Sequence, residues 1–372
     1  MLRRYYPYFF YWGSALVLRV LAVFRLNRGG ESYRHRPPKI VIEAGERGWG
    51  SIELKELYQS AKEYFGAEAV VQLIVDREKD YLVQVERLLN NNPGITHYLY
   101  DPRTGRAEAE QNLANAFFDS LGVALRLSRF RVIPVAFVTD ISYRLWRCQA
   151  AAVTARAGVV VSFMSNKFSR SMFPHQRLLG PSLFPMSKQR LEQLGALRAS
   201  LEDAGRVDRK VRFIGSLYEP RTSFFKEFER LMGDRADIRG RGLGSVRKSD
   251  DEYWESIASS AIVITTAEQF DQPAADLSSV SHLVYRYLEV MAAGSLLLAP
   301  AVPGVETYFT PGVHFVAYES VSDAYEKAAY YLASSDDAEK VRRRGHLRAR
   351  ALIDSRSFWV QINSSLGPDG FF

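Results

Sequence analysis

A chain of 372 residues, 47% hydrophobic and 24% charged, has apolar material for two cores, and its length is a prior for two domains. Its composition excludes disorder, no period of roughly 20–50 residues marks a solenoid, and one cysteine, Cys148, excludes a disulfide framework or a CxxC zinc site. Net charge is +7, but residues 1–36 hold seven arginines against Glu31 alone, so the body is almost neutral and is not a nucleic-acid-binding surface by composition.

The N-terminal run 5–24, YYPYFFYWGSALVLRVLAVF, lies between Arg3–Arg4 and Arg25, Arg28, Arg34 and Arg36. Its length suits a bilayer span, yet Pro7 sits early, Arg19 lies inside it, and no small-residue cleavage site follows. Tyr, Trp and Arg favour the headgroup zone, so segment 1–36 is expected to touch an anionic membrane surface. Packing on the protein's own surface and a true span are the alternatives.

After Pro37–Pro38, apolar β-branched runs predict strands at Lys39–Glu43, Val70–Val75, Thr96–Tyr100, Val132–Thr139 and Gly158–Phe163. Helices are expected near 51–65, 79–90, 107–127 and 142–156. Such alternation predicts a parallel sheet covered on both faces. Residues 186–210 turn charged and helical, and the domain boundary is placed there. The pattern restarts with strands at Val211–Gly215, Asp237–Gly240, Ala261–Thr265, Ser295–Ala299 and His314–Ala317, and helices near 221–232, 250–259, 283–293, 320–333 and 336–353. The expected organisation is an N-terminal segment 1–36, an N-terminal domain 37–190, a C-terminal domain 205–355, and a tail 356–372 able to cross back to the N-terminal domain. The fold class is α/β: two consecutive Rossmann-like doubly wound domains facing across a cleft, with ligand sites at the carboxyl ends of the strands.

The clearest constellation is Tyr285–Gly294, YRYLEVMAAG, followed by a strand and the turn Pro300–Gly304. Gly294 suits a helix end with positive φ. Glu289 is the lone carboxylate among Leu288, Val290 and Met291, so it either pairs with a cation or accepts ligand hydroxyls. The 240–244 run GRGLG lacks the GxGxxG spacing of dinucleotide sites. No DxD triplet and no clustered histidines occur, so no metal site of the usual kinds is expected.

Segment 285–345, with its YRYLE-x-x-A-x-G core, PGVE and RRRGHLRAR, resembles the GT-B glycosyltransferases. It is most similar to the group-1-like and spore-maturation-protein-like bacterial members, over 207–355. The resemblance implies that Glu289 binds the donor ribose. Val211–Arg221 is similar to the strand–glycine–loop that opens the donor domain, with Gly215 as the glycine and Arg221, six positions on, facing the diphosphate. Gly240–Gly244, centred on Gly242, matches the second glycine-rich loop, and Asp251–Trp254 follows in order. Two departures stand out. Ser216 replaces an arginine after the first glycine, and Ser281 and His282 lie eight and seven before Glu289, where retaining members often have a glutamate. Arg286, one turn from Glu289, is a substitute cation.

The resemblance gives the N-terminal domain the acceptor. Asp140, at the end of the strongest strand, is a candidate general base or a helix N-cap. Glu46, in the glycine-rich turn 42–50 with Trp49, is a second candidate, or part of a plain βα turn, and His175 is a third. The expected activity is metal-free transfer of a sugar from a nucleotide-sugar donor, UDP or GDP type, to a lipid-linked or polysaccharide acceptor, with no cofactor. The expected setting is cytoplasmic, peripheral at the inner membrane face. A sugar-nucleotide epimerase or hydrolase, or a non-catalytic membrane-attached binding protein, are the alternatives.

Overall fold

The computed structural model describes residues 37–45, 52–76, 78–101, 113–138, 159–164, 169–170, 173, 176–217, 219–241, 249–267 and 281–367. The chain forms two compact units. One comprises the described residues up to Ser182 together with those from Trp359 onward, and the other is Leu183–Phe358.

The first unit is built on β1 (Ile40–Gly45), β2 (Val70–Val75), β3 (His97–Tyr100), β4 (Ile133–Val138), β5 (Val159–Ser162) and β6 (Arg177–Leu179). They pair in the order β2-β1-β3-β4-β5-β6, every pair parallel. Helices α1 (Ile52–Phe65), α2 (Tyr81–Asn91) and α3 (Leu113–Arg129) connect them. A parallel sheet is covered on both faces, which is why its strands read as unbroken apolar runs: Ile40–Ile42 and Val159–Val161 are almost wholly buried. The expected strands all form. β6 was not expected, because an exposed Arg177 and two leucines at a sheet edge are too short a run to read as a strand. The predicted helix at 142–156, the residues 107–112 and the segment 1–36 lie outside the described residues. The chain returns to this unit at Trp359, whose indole donates to Ser60 Oγ at 2.7 Å and whose ring packs edge-on against Phe65. Arg177 donates to the Leu366 carbonyl at 2.7 Å.

The second unit opens with α4 (Lys188–Asp203), followed by β7 (Asp208–Ser216), α5 (Arg221–Met232), β8 (Ala236–Arg241), α6 (Asp250–Ala258) and β9 (Ser260–Ile264). It continues with α7 (Arg286–Ala292), β10 (Leu296–Pro300), β11 (Val316–Tyr318), α8 (Val321–Ala333) and α9 (Ser335–Asp354). Its sheet is also wholly parallel, in the order β11-β10-β9-β7-β8. The unit boundary falls ahead of the charged stretch 186–210, because α4 packs against α6, α7 and α9 of this second unit. Leu191, Leu194 and Leu201 are buried, and Arg198 donates to the Ala258 and Ser260 carbonyls at 2.8 and 3.0 Å.

Two glycines fix how α7 sits. Gly294, with φ 74°, ends the helix in the left-handed region and sends the chain into β10. Gly345 lets α9 press against its neighbours: a Cβ there would stand 2.3 Å from the His314 carbonyl oxygen and 3.0 Å from the Met291 sulfur. Only hydrogen fits.

Candidate functional site

In the second sheet β7 is flanked by β8 on one side and β9 on the other, so the strand order reverses between β7 and β9. Open α/β sheets bind ligands at such a point, beyond the carboxyl ends of the strands. The loops that leave those ends carry the polar groups. Thr265 and Thr266 follow β9 and are buried, and Arg221 is the first residue of α5. Its Nε donates to Thr266 Oγ1 at 2.8 Å and its Nη1 to the Ser216 carbonyl at 3.1 Å. Arg221 therefore ties the two loops together, with its guanidinium 5.7 Å from the Phe213 ring centre. Gly215 makes room for that ring, since a Cβ would lie 3.0 Å from it. The first turn of α5 already has an acceptor in Glu219, which takes the Ser223 N–H at 3.2 Å.

A second arginine reaches the same strand end. Arg286 Nη2 donates to the Ile214 carbonyl at 2.8 Å, two residues before Ser216, and successive backbone groups alternate along a strand. Both guanidiniums thus meet one edge of β7, where it runs on past the end of β9. Arg286 is held by its own helix and by α6. Its Nη1 lies 3.2 Å from Glu289 Oε2 and donates to the Tyr253 hydroxyl, and the Tyr253 ring centre is 5.1 Å from the guanidinium. The Tyr253 hydroxyl in turn donates to the Glu289 carboxylate, 2.8 Å from each oxygen. Glu289 is 2% exposed. The local sequence explains the arrangement: a Ser249/Glu252 capping box starts α6 just before Tyr253, and the rest of α7 is apolar and buried.

His282 completes this corner. Its backbone N–H donates to the Ala267 carbonyl at 3.3 Å, and its ring Nδ1 is shut from solvent without a hydrogen-bond partner. Burial, and secondarily the charge of Arg221, push the imidazole down to about 4, so it is neutral at physiological pH.

In the first unit the strand order reverses between β1 and β3. Near the end of β1, Glu43 is 1% exposed, and its carboxylate accepts from Tyr81 Oη at 2.8 Å and from the Tyr98 hydroxyl. Sequence reading missed this buried carboxylate; its only signal was one acid in the run IVIEAG. It also missed Tyr253 and Thr266 as partners of the two arginines. Of the expected site residues, Gly215, Arg221, Arg286 and Glu289 gather around the end of β7 and α7. Asp140, Glu46, His175 and Gly242 lie outside the described residues. Among the described residues, no group of three or more His, Cys, Asp or Glu is placed to hold a metal, and no helix is long and apolar enough to cross a membrane.

Residues 198–362, which carry the Arg221–Arg286 corner, match the family described as glycosyl transferase-like. No curated protein matches the chain. Among solved structures it is similar to HepE of Anabaena in complex with UDP and glucose, at 12% identity over 88% of this chain and 99% of that one, with a TM-score of 0.56. A glycosyltransferase from Rickettsia africae matches at 10% identity over 90% and 100%, TM-score 0.51. Sucrose-phosphate synthase from Thermosynechococcus elongatus matches at 12% over 88% and 98%, TM-score 0.52. These likenesses give the fold, two Rossmann-like domains as in the GT-B glycosyltransferases, and the family match makes residues 198–362 a glycosyl transferase-like domain.

Proposed function

We propose that the enzyme transfers a sugar from a nucleoside-diphosphate sugar to a carbohydrate or lipid-linked hydroxyl, without a metal. The observation that carries this reading is the pair of guanidiniums, Arg221 and Arg286, meeting one edge of β7 at the switch point. A departing diphosphate gains negative charge, and two fixed arginines offset it through charge-assisted hydrogen bonds. The complex of the similar HepE with UDP-glucose supports a diphosphate donor for this chain. Activation of the acceptor hydroxyl falls to the first unit, with Asp140, Glu46 and His175 as the candidate bases. Calorimetry with UDP and GDP in EDTA tests the reading. One of them is expected to bind, and Arg221→Ala to weaken it at least about tenfold, the loss of one charge-assisted bond. An unchanged affinity in that variant, or turnover abolished by EDTA and restored by Mg²⁺, overturns it.

The placement of nearly all net charge in residues 1–36, beside an aromatic run, supports a peripheral position on the cytoplasmic membrane face. Each arginine near an anionic surface is worth about 1 kcal/mol. The full chain is expected to co-sediment with vesicles containing phosphatidylserine, to release as salt rises, and to bind less when Arg25, Arg28, Arg34 and Arg36 are changed to glutamine. Binding indifferent to both salt and these changes counts against it.

A further inference from the structure

We propose that Tyr253 is a positioning residue for the donor: with Glu289 it holds Arg286 in the orientation that meets the diphosphate. The inference rests on the proposed reading of Arg286 as a diphosphate contact. Arg286 is anchored from three directions, by the Ile214 carbonyl on β7, by Glu289 on its own helix and by Tyr253 on α6. Of these, Tyr253 does two things at once. Its ring lies against the guanidinium, and cation–π attraction favours one plane for the fork. Its hydroxyl accepts from Arg286 and spends its single proton on the Glu289 carboxylate, as a neutral phenol can.

That direction of hydrogen bonding has a consequence for the charges. A carboxylate 2% exposed is costly unless it is bonded and paired, and Tyr253 supplies a bond and Arg286 a charge partner. Tyr253 therefore couples the helix that carries Arg286 to the neighbouring helix α6. The side chain of Arg286 keeps 16% of its surface in solvent, from which a ligand can approach, whereas that of Glu289 keeps 3%.

The test is a double-mutant cycle on UDP affinity with Tyr253→Phe and Arg286→Ala, each checked for an unchanged melting temperature and far-ultraviolet spectrum. Tyr253→Phe keeps the ring and removes only the hydroxyl. Each single variant is expected to weaken UDP at least about tenfold, the loss of a bond involving a charged group, and the double variant no more than Arg286→Ala alone. A merely structural role for Tyr253 would leave UDP affinity unmoved in the wild-type background. Weakening by Arg286→Ala but not by Tyr253→Phe overturns this inference alone, and so do additive losses, which would make Tyr253 a direct ligand contact. Unchanged affinity in Arg286→Ala overturns the parent reading and the inference with it. If Arg286→Ala does not fold, Arg286→Lys, which keeps the charge and loses the fork, takes its place in the cycle.

Discussion

Arg212→Leu is expected to destabilise the second unit by about 3–5 kcal/mol, the cost of removing one partner from a buried charge network. Arg212 sits in the middle of β7 and is 2% exposed. Its Nε donates to Asp237 at 2.8 Å, and it also bonds Asp208, the Ser256 carbonyl at 2.8 Å, Ser259 Oγ at 2.8 Å and Ser260 Oγ at 3.0 Å. One side chain therefore joins β7 to the start of β8 and to the α6–β9 turn. Burial pushes the Asp237 carboxyl up, but hydrogen bonds from Arg239 and Arg212 outweigh it and hold the group below the usual carboxylate range. Leucine would fill part of the volume, take the donor from several acceptors at once and leave Asp237 with Arg239 as its cation. Hydrogen exchange of the β7 and β9 amides measures the effect within this unit, without requiring the whole chain to unfold in one step. Protection lowered by less than about tenfold would show that water replaces the arginine at little cost.

The second large effect is on pH dependence. His282 is neutral in the folded protein down to about 4, whereas in the unfolded chain it takes up a proton near 6.5. Between those values the unfolded state binds the proton that the folded state refuses, so stability is full above 6.5 and falls as pH drops toward 4. Below that both states are protonated and the loss levels off at up to about 3 kcal/mol, at 1.36 kcal/mol for each pH unit of the gap. The burial of the ring is the main cause and the nearby Arg221 charge the lesser one. Denaturant titrations of wild type and His282→Asn from pH 7.5 to 5 isolate this group, because other titrating residues are common to both. The stability difference between the two proteins is expected to change by about 2 kcal/mol over that range, wild type losing more. Parallel pH profiles would mean that the ring is hydrated and titrates normally. Saturating nucleotide should leave the sign unchanged, since the proton is excluded by burial before any ligand arrives.

The difference between Arg212 and His282 on one hand, and the strands on the other, marks where sequence reading works. IPVAFV, VVVS and LLLAP are legible as strands because both faces of a parallel sheet are covered, and the pattern needs no knowledge of neighbours. The helix that ends on Gly294 is legible too, because the residue's φ of 74° is a local requirement that only a few residue types meet. Glu289 was identifiable as a lone carboxylate in an apolar helix, and Arg221 and Arg286 came from the resemblance to the GT-B glycosyltransferases. Their partners were not. Arg221 meets Thr266 across 45 residues, Arg286 meets Tyr253 across 33, and Trp359 meets Ser60 across 299. The edge strand β6 was invisible for the same reason: a run of three residues, RLL, becomes a strand only when β5 offers it a ladder.

The sequence by itself determined the α/β alternation, the two sheets and the glycine end of α7, because burial on both faces and backbone conformation leave local periods and local residue choices. Which of those residues stand together was decided only in the tertiary structure. The strand order β11-β10-β9-β7-β8 brings the loops after β7 and β9 to one edge, and that order is set by packing between elements far apart in the chain. The packing of α6 beside α7 is also what brings Tyr253 to Glu289, and the tertiary fold is what buries His282 beside Arg221.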